Sequence, residues 1–223
     1  MIRLFIVGCP RSGTTLLQCL LAAHSQMISF PESHLHYDFS KAGDQLNEFD
    51  QIAQQKQLAG WIEKTPRHLH FIEQIQALCP SAKFIHCLRD ARANVASLYG
   101  IERHYGASWG YQPKTIRECF QRWQHDYQLS QAYSNQPNHK LVQYEDLSEK
   151  PSAILLNICQ YLALEFEPNI LVRYPEVLPS LAQQAPWKNS VKEPIKNFNM
   201  NALSYLFPEE TNELEKLCLD ANL

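Results

Sequence analysis

Ile2-Arg3-Leu4-Phe5-Ile6-Val7-Gly8-Cys9-Pro10-Arg11-Ser12-Gly13-Thr14-Thr15-Leu16-Leu17-Gln18-Cys19-Leu20-Leu21 passes from one apolar segment to another through a loop bounded by glycines. The first segment reads as a buried strand over Leu4 to Val7. The second reads as a helix from Thr15 to His24, with Leu16 and Leu20, and Leu17 and Leu21, paired at i, i+4 on its buried face. A strand, a tight loop and a helix in this order turn successive backbone N–H groups, and the positive end of the helix dipole, toward one point. A phosphate or sulfate fits there, so an anion-binding site is the first functional expectation.

The loop has the glycine spacing of a Walker A sequence, but Thr14 follows the second glycine where a lysine is needed for the β- and γ-phosphates of a nucleoside triphosphate. Arg11 is the cation of the loop instead. A plain strand-to-helix turn would also use Gly8 and Gly13, for backbone geometry alone; the added cation and the hydroxyls of Ser12, Thr14 and Thr15 argue for a ligand.

Working outward, the chain of 223 residues is long enough for one domain with a sizeable core, and its 45% hydrophobic and 19% charged residues are ordinary for a globular protein. A net charge of −3 gives no reason to expect nucleic acid or an anionic membrane as a partner. The apolar run ending at Val7 lacks the length and cleavage site of a signal peptide, and no segment approaches the ~20 apolar residues of a membrane span. The seven cysteines form no C-x-x-C or zinc spacing; they fit free thiols, hence a cytoplasmic protein.

Further strands are expected at Trp61 to Lys64, Lys83 to Arg89 and Lys140 to Tyr144. Helices are expected at His68 to Leu78, Ala91 to Tyr99 with Asp90 as N-cap, Thr115 to Tyr133, Ser152 to Leu162 after Pro151, and near Glu209 to Leu219. Phe30-Pro31-Glu32 reads as extended and Asp38 to Leu58 as helical in part; Gly106 to Pro113 reads as a loop, and the proline-punctuated tail from Pro175 to Pro194 as irregular. Strands alternating with helices imply an α/β fold with a P-loop-type parallel sheet flanked by helices on both faces, in a single domain over 1–223. In such a sheet ligands bind beyond the carboxyl ends of the strands, which brings the Gly8 loop and the Arg89 junction to one edge.

Two motifs, Cys9-Pro10-Arg11-Ser12-Gly13-Thr14-Thr15 and Leu88-Arg89-Asp90-Ala91-Arg92-Ala93-Asn94-Val95-Ala96-Ser97, resemble those of the sulfotransferase family. The pattern is most similar to the tyrosylprotein sulfotransferase-like branch, whose loop carries arginine where the cytosolic branch has lysine. The resemblance implies 3′-phosphoadenylyl sulfate as donor and adenosine 3′,5′-bisphosphate (PAP) as product, without a metal. It implies that the first motif, through Arg11, Ser12, Gly13, Thr14 and Thr15, holds the 5′-phosphosulfate, and that Arg89 and Ser97 hold the 3′-phosphate. It further implies Glu32 as the catalytic base, Lys64 and Arg11 as catalytic cations, Tyr144 as a donor-binding residue, Lys196 as a phosphate ligand and Ser190 as a weaker one. The serine that the resemblance implies upstream of Lys196 has no evident counterpart; Ala182 stands near its place.

In sulfuryl transfer an acceptor hydroxyl, or an amine, loses its proton as it attacks sulfur, while the bridging oxygen of the leaving group gains charge. A carboxylate base and fixed cations meet these needs. The acceptor stays open among a small molecule, a sugar, a lipid and a peptide. His34 and His36, just after Glu32, are candidates to line the acceptor side, as are the loop aromatics Trp109, Tyr111 and Trp187; neither His34-x-His36 nor His68-x-His70 has a metal-binding spacing. Two other functions fit part of the pattern: a kinase-like phosphotransferase with a degenerate loop, and a non-catalytic nucleotide-binding domain.

Overall fold

The computed structural model describes residues 1–105, 115–182 and 193–223, with the side chains at 102, 104, 105 and 178–182 left aside. The expected loop at 106–113, its aromatics Trp109 and Tyr111, and Trp187 and Ser190 of the tail lie outside the described residues.

Strands β1 (Ile2–Gly8), β2 (Met27–Ser29), β3 (Gly60–Lys64), β4 (Lys83–Leu88) and β5 (His139–Gln143) form one sheet in the order β2-β3-β1-β4-β5. Every neighbouring pair is parallel, and central β1 places Ile6 beside Lys64 of β3 on one side and Ile85 of β4 on the other. Leu4, Phe5, Ile6 and Val7 are all 0% exposed, so the strand is buried on both faces, as its unbroken apolar run requires.

Successive side chains of a strand point to opposite faces, so β1 feeds two cores. Leu4 and Ile6 pack with Leu17, Leu20 and Leu21 of α1 (Thr14–Ala22) and with Leu155 and Ile158 of α7 (Pro151–Leu162). Phe5 and Val7 pack with Phe49 of α2 (Phe39–Gln55), Ile72 of α3 (Ile72–Leu78), and Trp61 and Phe84 of the flanking strands. Helices therefore cover both faces, as the sequence implies.

The polar stretch after residue 37 is the long helix α2, with Asp38 as N-cap accepting from the Ser40 amide. Asp90 caps α4 (Ala91–Tyr105), its Oδ1 accepting from Ala93 N at 3.0 Å. Thr115 and Glu118 form a capping box on α5 (Ile116–Ala132). Tyr144 opens a short helix, α6 (Tyr144–Glu149), instead of closing β5.

The expected irregular tail is corrected over its first part: Pro175 and Pro179 lie inside α8 (Ile170–Ala182). Interior prolines cost a helix up to about 3 kcal/mol each, but Ile170, Tyr174 and Val177 recur at helical spacing and join the core above α1. The chain ends in α9 (Asn199–Leu203) and α10 (Pro208–Asp220). Because all strands are parallel, Gly8, Lys64 and Leu88 end at one edge, and the chain that follows each of them meets there.

Candidate active site

The loop after β1 is shaped by backbone geometry that few residues adopt. Gly8 has φ +142°, and a Cβ there would press on the carbonyl oxygen of Cys87 in the next strand. Arg11 is left-handed at φ 73°, and Gly13, the N-cap of α1, has φ +93°. No side chain caps α1, and its first turn holds no acidic residue, so its leading N–H groups face the loop without a carboxylate in front of them. Beneath the loop, Ser12 is 1% exposed and its Oγ has no hydrogen-bond partner. A buried orphan hydroxyl costs about 1–3 kcal/mol; Ser12 Oγ lies on the Gly8 side of the loop, and Ser12 does not line the cleft that its neighbours Arg11 and Gly13 form.

Asn94, buried at 0% exposure on α4, grips this loop from below. With its amide turned so that both bonds form, Nδ2 donates to the Pro10 carbonyl and Oδ1 accepts from Ser12 N, each at 3.2 Å. The sequence alone does not single out Asn94; an amide between Arg89 and Ser97, on the helix that carries Ser97, is the available signal. Cys9 also lies in the loop, but burial, reinforced by Asp126, pushes its thiol well above the usual range, so it offers no thiolate.

A second cationic group lies beside the loop. Arg89 follows β4 and is 6% exposed; its Nη1 donates to the Arg11 carbonyl at 2.8 Å and its Nε to Asn199 Oδ1 at 2.9 Å, while the guanidinium stacks over the Tyr144 ring at 4.5 Å. Burial lowers its pKa, with Tyr144, Glu145 and Asp90 opposing that shift. Ser97, two turns along α4, accepts from Arg11 Nε at 3.2 Å. The Tyr144 hydroxyl donates to the Lys196 carbonyl at 3.3 Å and accepts from Phe198 N at 3.1 Å, which fastens the chain around 196–198 over the site.

One cleft joins these groups. Gly13, Thr14 and Thr15 line it together with Arg11, Arg89, Ser97, Tyr144 and Lys196. Among its described lining residues Glu193 is the one carboxylate, and it pairs with Lys196 Nζ at 2.7 Å. Three cations against one anion suit a ligand with more than one negative group.

Glu32 and Lys64 stand at the same sheet edge but do not line that cleft. Lys64 is 1% exposed at the end of β3, and its Nζ pairs with Glu32 Oε1. His34 is exposed; His36 packs between Tyr37 and Phe71 with both ring nitrogens unpartnered, and burial, with His68 and Arg67 nearby, lowers its pKa to about 4. His68 and His70 are engaged with Glu63 and Asp126. No group of three or more metal-ligating side chains occurs among the described residues, and no helix among them is long and apolar enough to cross a membrane.

A parallel sheet with a glycine loop at the end of its central strand, and an arginine–serine pair after the next, defines a P-loop-type fold with two adjoining groups suited to anions. Residues 3–50 and 36–168 match the model of the sulfotransferase family, and the chain belongs to that family. It is 30% identical over 193 residues to a putative protein-tyrosine sulfotransferase of Caenorhabditis briggsae, covering 75% of this chain and 68% of that one. It is 26% identical over 233 residues to protein-tyrosine sulfotransferase 2 of Gallus gallus, covering 90% of this chain but 62%, less than two thirds, of that relative. Among solved structures, a mouse sulfotransferase complexed with PAP shares the fold at TM-score 0.66 and 15% identity, over 98% of this chain and 84% of that one.

Proposed function

We propose that the protein transfers a sulfuryl group from 3′-phosphoadenylyl sulfate to an acceptor hydroxyl, with Glu32 as general base. The observation that carries this reading is the single cleft shared by the Gly13 loop and the Arg89–Ser97 pair. The donor has two separated anionic groups, a 5′-phosphosulfate and a 3′-phosphate, and the cleft offers two anion positions. With Thr14 in place of a lysine, a triphosphate would lack its usual cation.

In this reading the N–H groups of Gly13, Thr14 and Thr15 hold the 5′-phosphosulfate. Arg89 and Ser97 hold the 3′-phosphate, Tyr144 steadies the Arg89 guanidinium, and Lys196 adds charge from the cleft wall; Ser190 remains a candidate ligand. Arg11, now on Ser97, lies between the two positions and serves either. Glu32 receives the acceptor proton as the acceptor oxygen bonds to sulfur. The bond from sulfur to the bridging phosphate oxygen breaks, and its electron pair leaves on PAP. Lys64, paired with Glu32, stabilises the charge that develops on the sulfuryl and bridging oxygens. A positioned base contributes typically about 10²–10⁴-fold and a well-aimed donor about 10²–10³-fold.

Support for tyrosine as acceptor comes from the named relatives alone, and a sugar, lipid or small-molecule hydroxyl fits the site as well. The free, buried state of all seven cysteines supports a cytoplasmic location.

Calorimetric titration with PAP and, separately, with Mg-ATP tests the donor assignment. PAP should bind and Mg-ATP should not; the reverse would point to a nucleoside triphosphate-binding protein, a phosphotransferase or a non-catalytic domain, and binding of neither would remove the reading. Transfer of ³⁵S from the labelled donor to p-nitrophenol, a tyrosine peptide or a simple sugar then reads turnover. Glu32→Gln should lower it by about 10²–10⁴-fold while PAP affinity stays near wild type, and a large loss of affinity would show Glu32 to be donor-facing.

A further inference from the structure

β3 alternates between the two cores: Ile62 and Trp61 join opposite ones, so Glu63, two residues from Trp61, points to the face of Phe5 and Phe84. It is 0% exposed. A carboxylate in that setting is costly unless fully bonded, and this one receives four hydrogen bonds. Oε1 accepts from Ser33 N at 3.0 Å, Ser33 Oγ at 2.9 Å and Thr65 Oγ1 at 2.5 Å; Oε2 accepts from His68 Nδ1 at 2.9 Å. Burial pushes the carboxyl upward, but the adjacent His68 and the bonds from Ser33 and Thr65 outweigh it and leave Glu63 below the ordinary carboxylate range. The anion is thus the form the site is built around.

Its donors are not scattered. Ser33 is the residue after Glu32, and Thr65 is the residue after Lys64. One buried carboxylate therefore ties its own segment, which carries Lys64 and Thr65, to the segment of Glu32 and Ser33 some 30 residues earlier, bonding in each to the residue next to a member of the Glu32–Lys64 ion pair. Pro31 and Pro66 flank the two segments and limit their freedom further.

We propose that Glu63 is a positioning residue for sulfuryl transfer: its buried carboxylate holds the amide and hydroxyl of Ser33 and the hydroxyl of Thr65 and thereby sets Glu32 against Lys64. The inference rests on the reading of those two residues as the reacting pair. Glu63 is fully buried and does not line the cleft of the Gly13 loop and Arg89. Its effect is on geometry, where a misplacement of about 1 Å costs about 10²-fold in rate.

The test compares Glu63→Gln, Ser33→Ala and Ser33→Thr with wild type. Turnover is read as ³⁵S transfer to p-nitrophenol, or to water where p-nitrophenol is not taken, and donor-site integrity as the PAP dissociation constant. Glu63→Gln should lower kcat by about 30–100-fold, Ser33→Ala by about tenfold, and Ser33→Thr, which keeps the hydroxyl, should stay within about threefold of wild type. In all three, PAP affinity should change less than about threefold, because the donor cleft does not include Glu63. Unchanged kcat in the first two variants would overturn the proposal, and so would parallel losses of kcat and PAP affinity, which mark general damage to the fold. If Glu63→Gln does not fold, the contrast between Ser33→Ala and Ser33→Thr decides. A wild-type protein that binds no PAP would instead defeat the sulfotransferase reading, a result seen before any variant is made.

Discussion

Gly13 meets two independent demands. Its φ of +93° is one that residues with a Cβ rarely hold, and an added Cβ would stand 2.6 Å from Cδ2 of Tyr144, inside contact distance of the ring that supports Arg89. Gly13→Ala should therefore destabilise the protein by about 1–3 kcal/mol and, on the proposed donor reading, weaken PAP binding by at least about tenfold, since the strain falls on both the loop and the Tyr144 ring that supports Arg89. Gly43, inside α2, has open space where a Cβ would stand, with nothing within 4 Å, and an ordinary helical φ. Gly43→Ala should stabilise by about 0.5–1 kcal/mol and leave PAP affinity alone. Urea denaturation and calorimetry on the two variants separate a glycine required by the site from one merely tolerated. Position alone in the sequence makes Gly13 stand out, because it closes a loop between strand and helix. Nothing comparable marks Asn94 or Glu63. Their importance comes from which groups they face after folding, and the local pattern of a helix or strand does not carry that information.

At the level of elements, the strands expected at Leu4 to Val7 and at Lys83 to Arg89 were legible: the first is an unbroken apolar run, the second is apolar but for Lys83, His86 and Arg89, and both lie inside the sheet with every one of these residues but Lys83 buried. Met27–Ser29 was not, because an edge strand of three residues that pairs with β3 alone needs no such run. Pro175 and Pro179 misdirect the reading of α8 for a related reason: the tertiary packing of Ile170 and Tyr174 outweighs a local preference. The β4–β5 junction carries a consequence that no motif announces. His86 of β4 bonds through Nε2 to Nδ1 of His139 at 2.9 Å, Gln76 and the Tyr133 ring close the surroundings, and burial lowers the two pKa values to about 3 and about 4. Both histidines are neutral in the fold, whereas in the unfolded chain they take up protons near pH 6.5. The unfolded state thus binds more protons between pH 6.5 and about 4, so stability is full above that window and falls as pH drops through it. From pH 7 to 5.5, His86 alone should cost about 1 kcal/mol. Urea melts at the two values check this: His86→Leu should flatten the pH dependence even if it lowers stability overall, and an unchanged slope would refute the assignment.

Over the whole molecule, the cleft draws together segments from both ends of the chain. Arg89 bonds to the Arg11 carbonyl and to Asn199; Asn199 Nδ2 donates to Glu145 Oε1 at 2.8 Å, which also accepts from Asp90 N at 3.1 Å. Tyr144 ties in the chain at Lys196 and Phe198. Residues 8–15, 89–97 and 193–205 are therefore linked through a few side chains, with Arg89 common to all three. A ligand that engages both anion positions should order the three together. At a hundredfold excess over its dissociation constant, PAP stabilises the fold by about 2.7 kcal/mol, and hydrogen exchange should slow in all three segments while α2, on the far core, is unchanged. Arg89→Ala removes the common link. In that variant PAP binding should weaken by about tenfold or more, consistent with loss of a charged hydrogen bond. If the proposed loop contacts hold, protection at saturating PAP should persist at 8–15 and disappear at 193–205, which Arg89 reaches through Asn199. Protection confined to 8–15 in the wild type would mean that the second anion position is not used, and equal protection of 193–205 in both proteins would place the link elsewhere, on Tyr144 or Lys196.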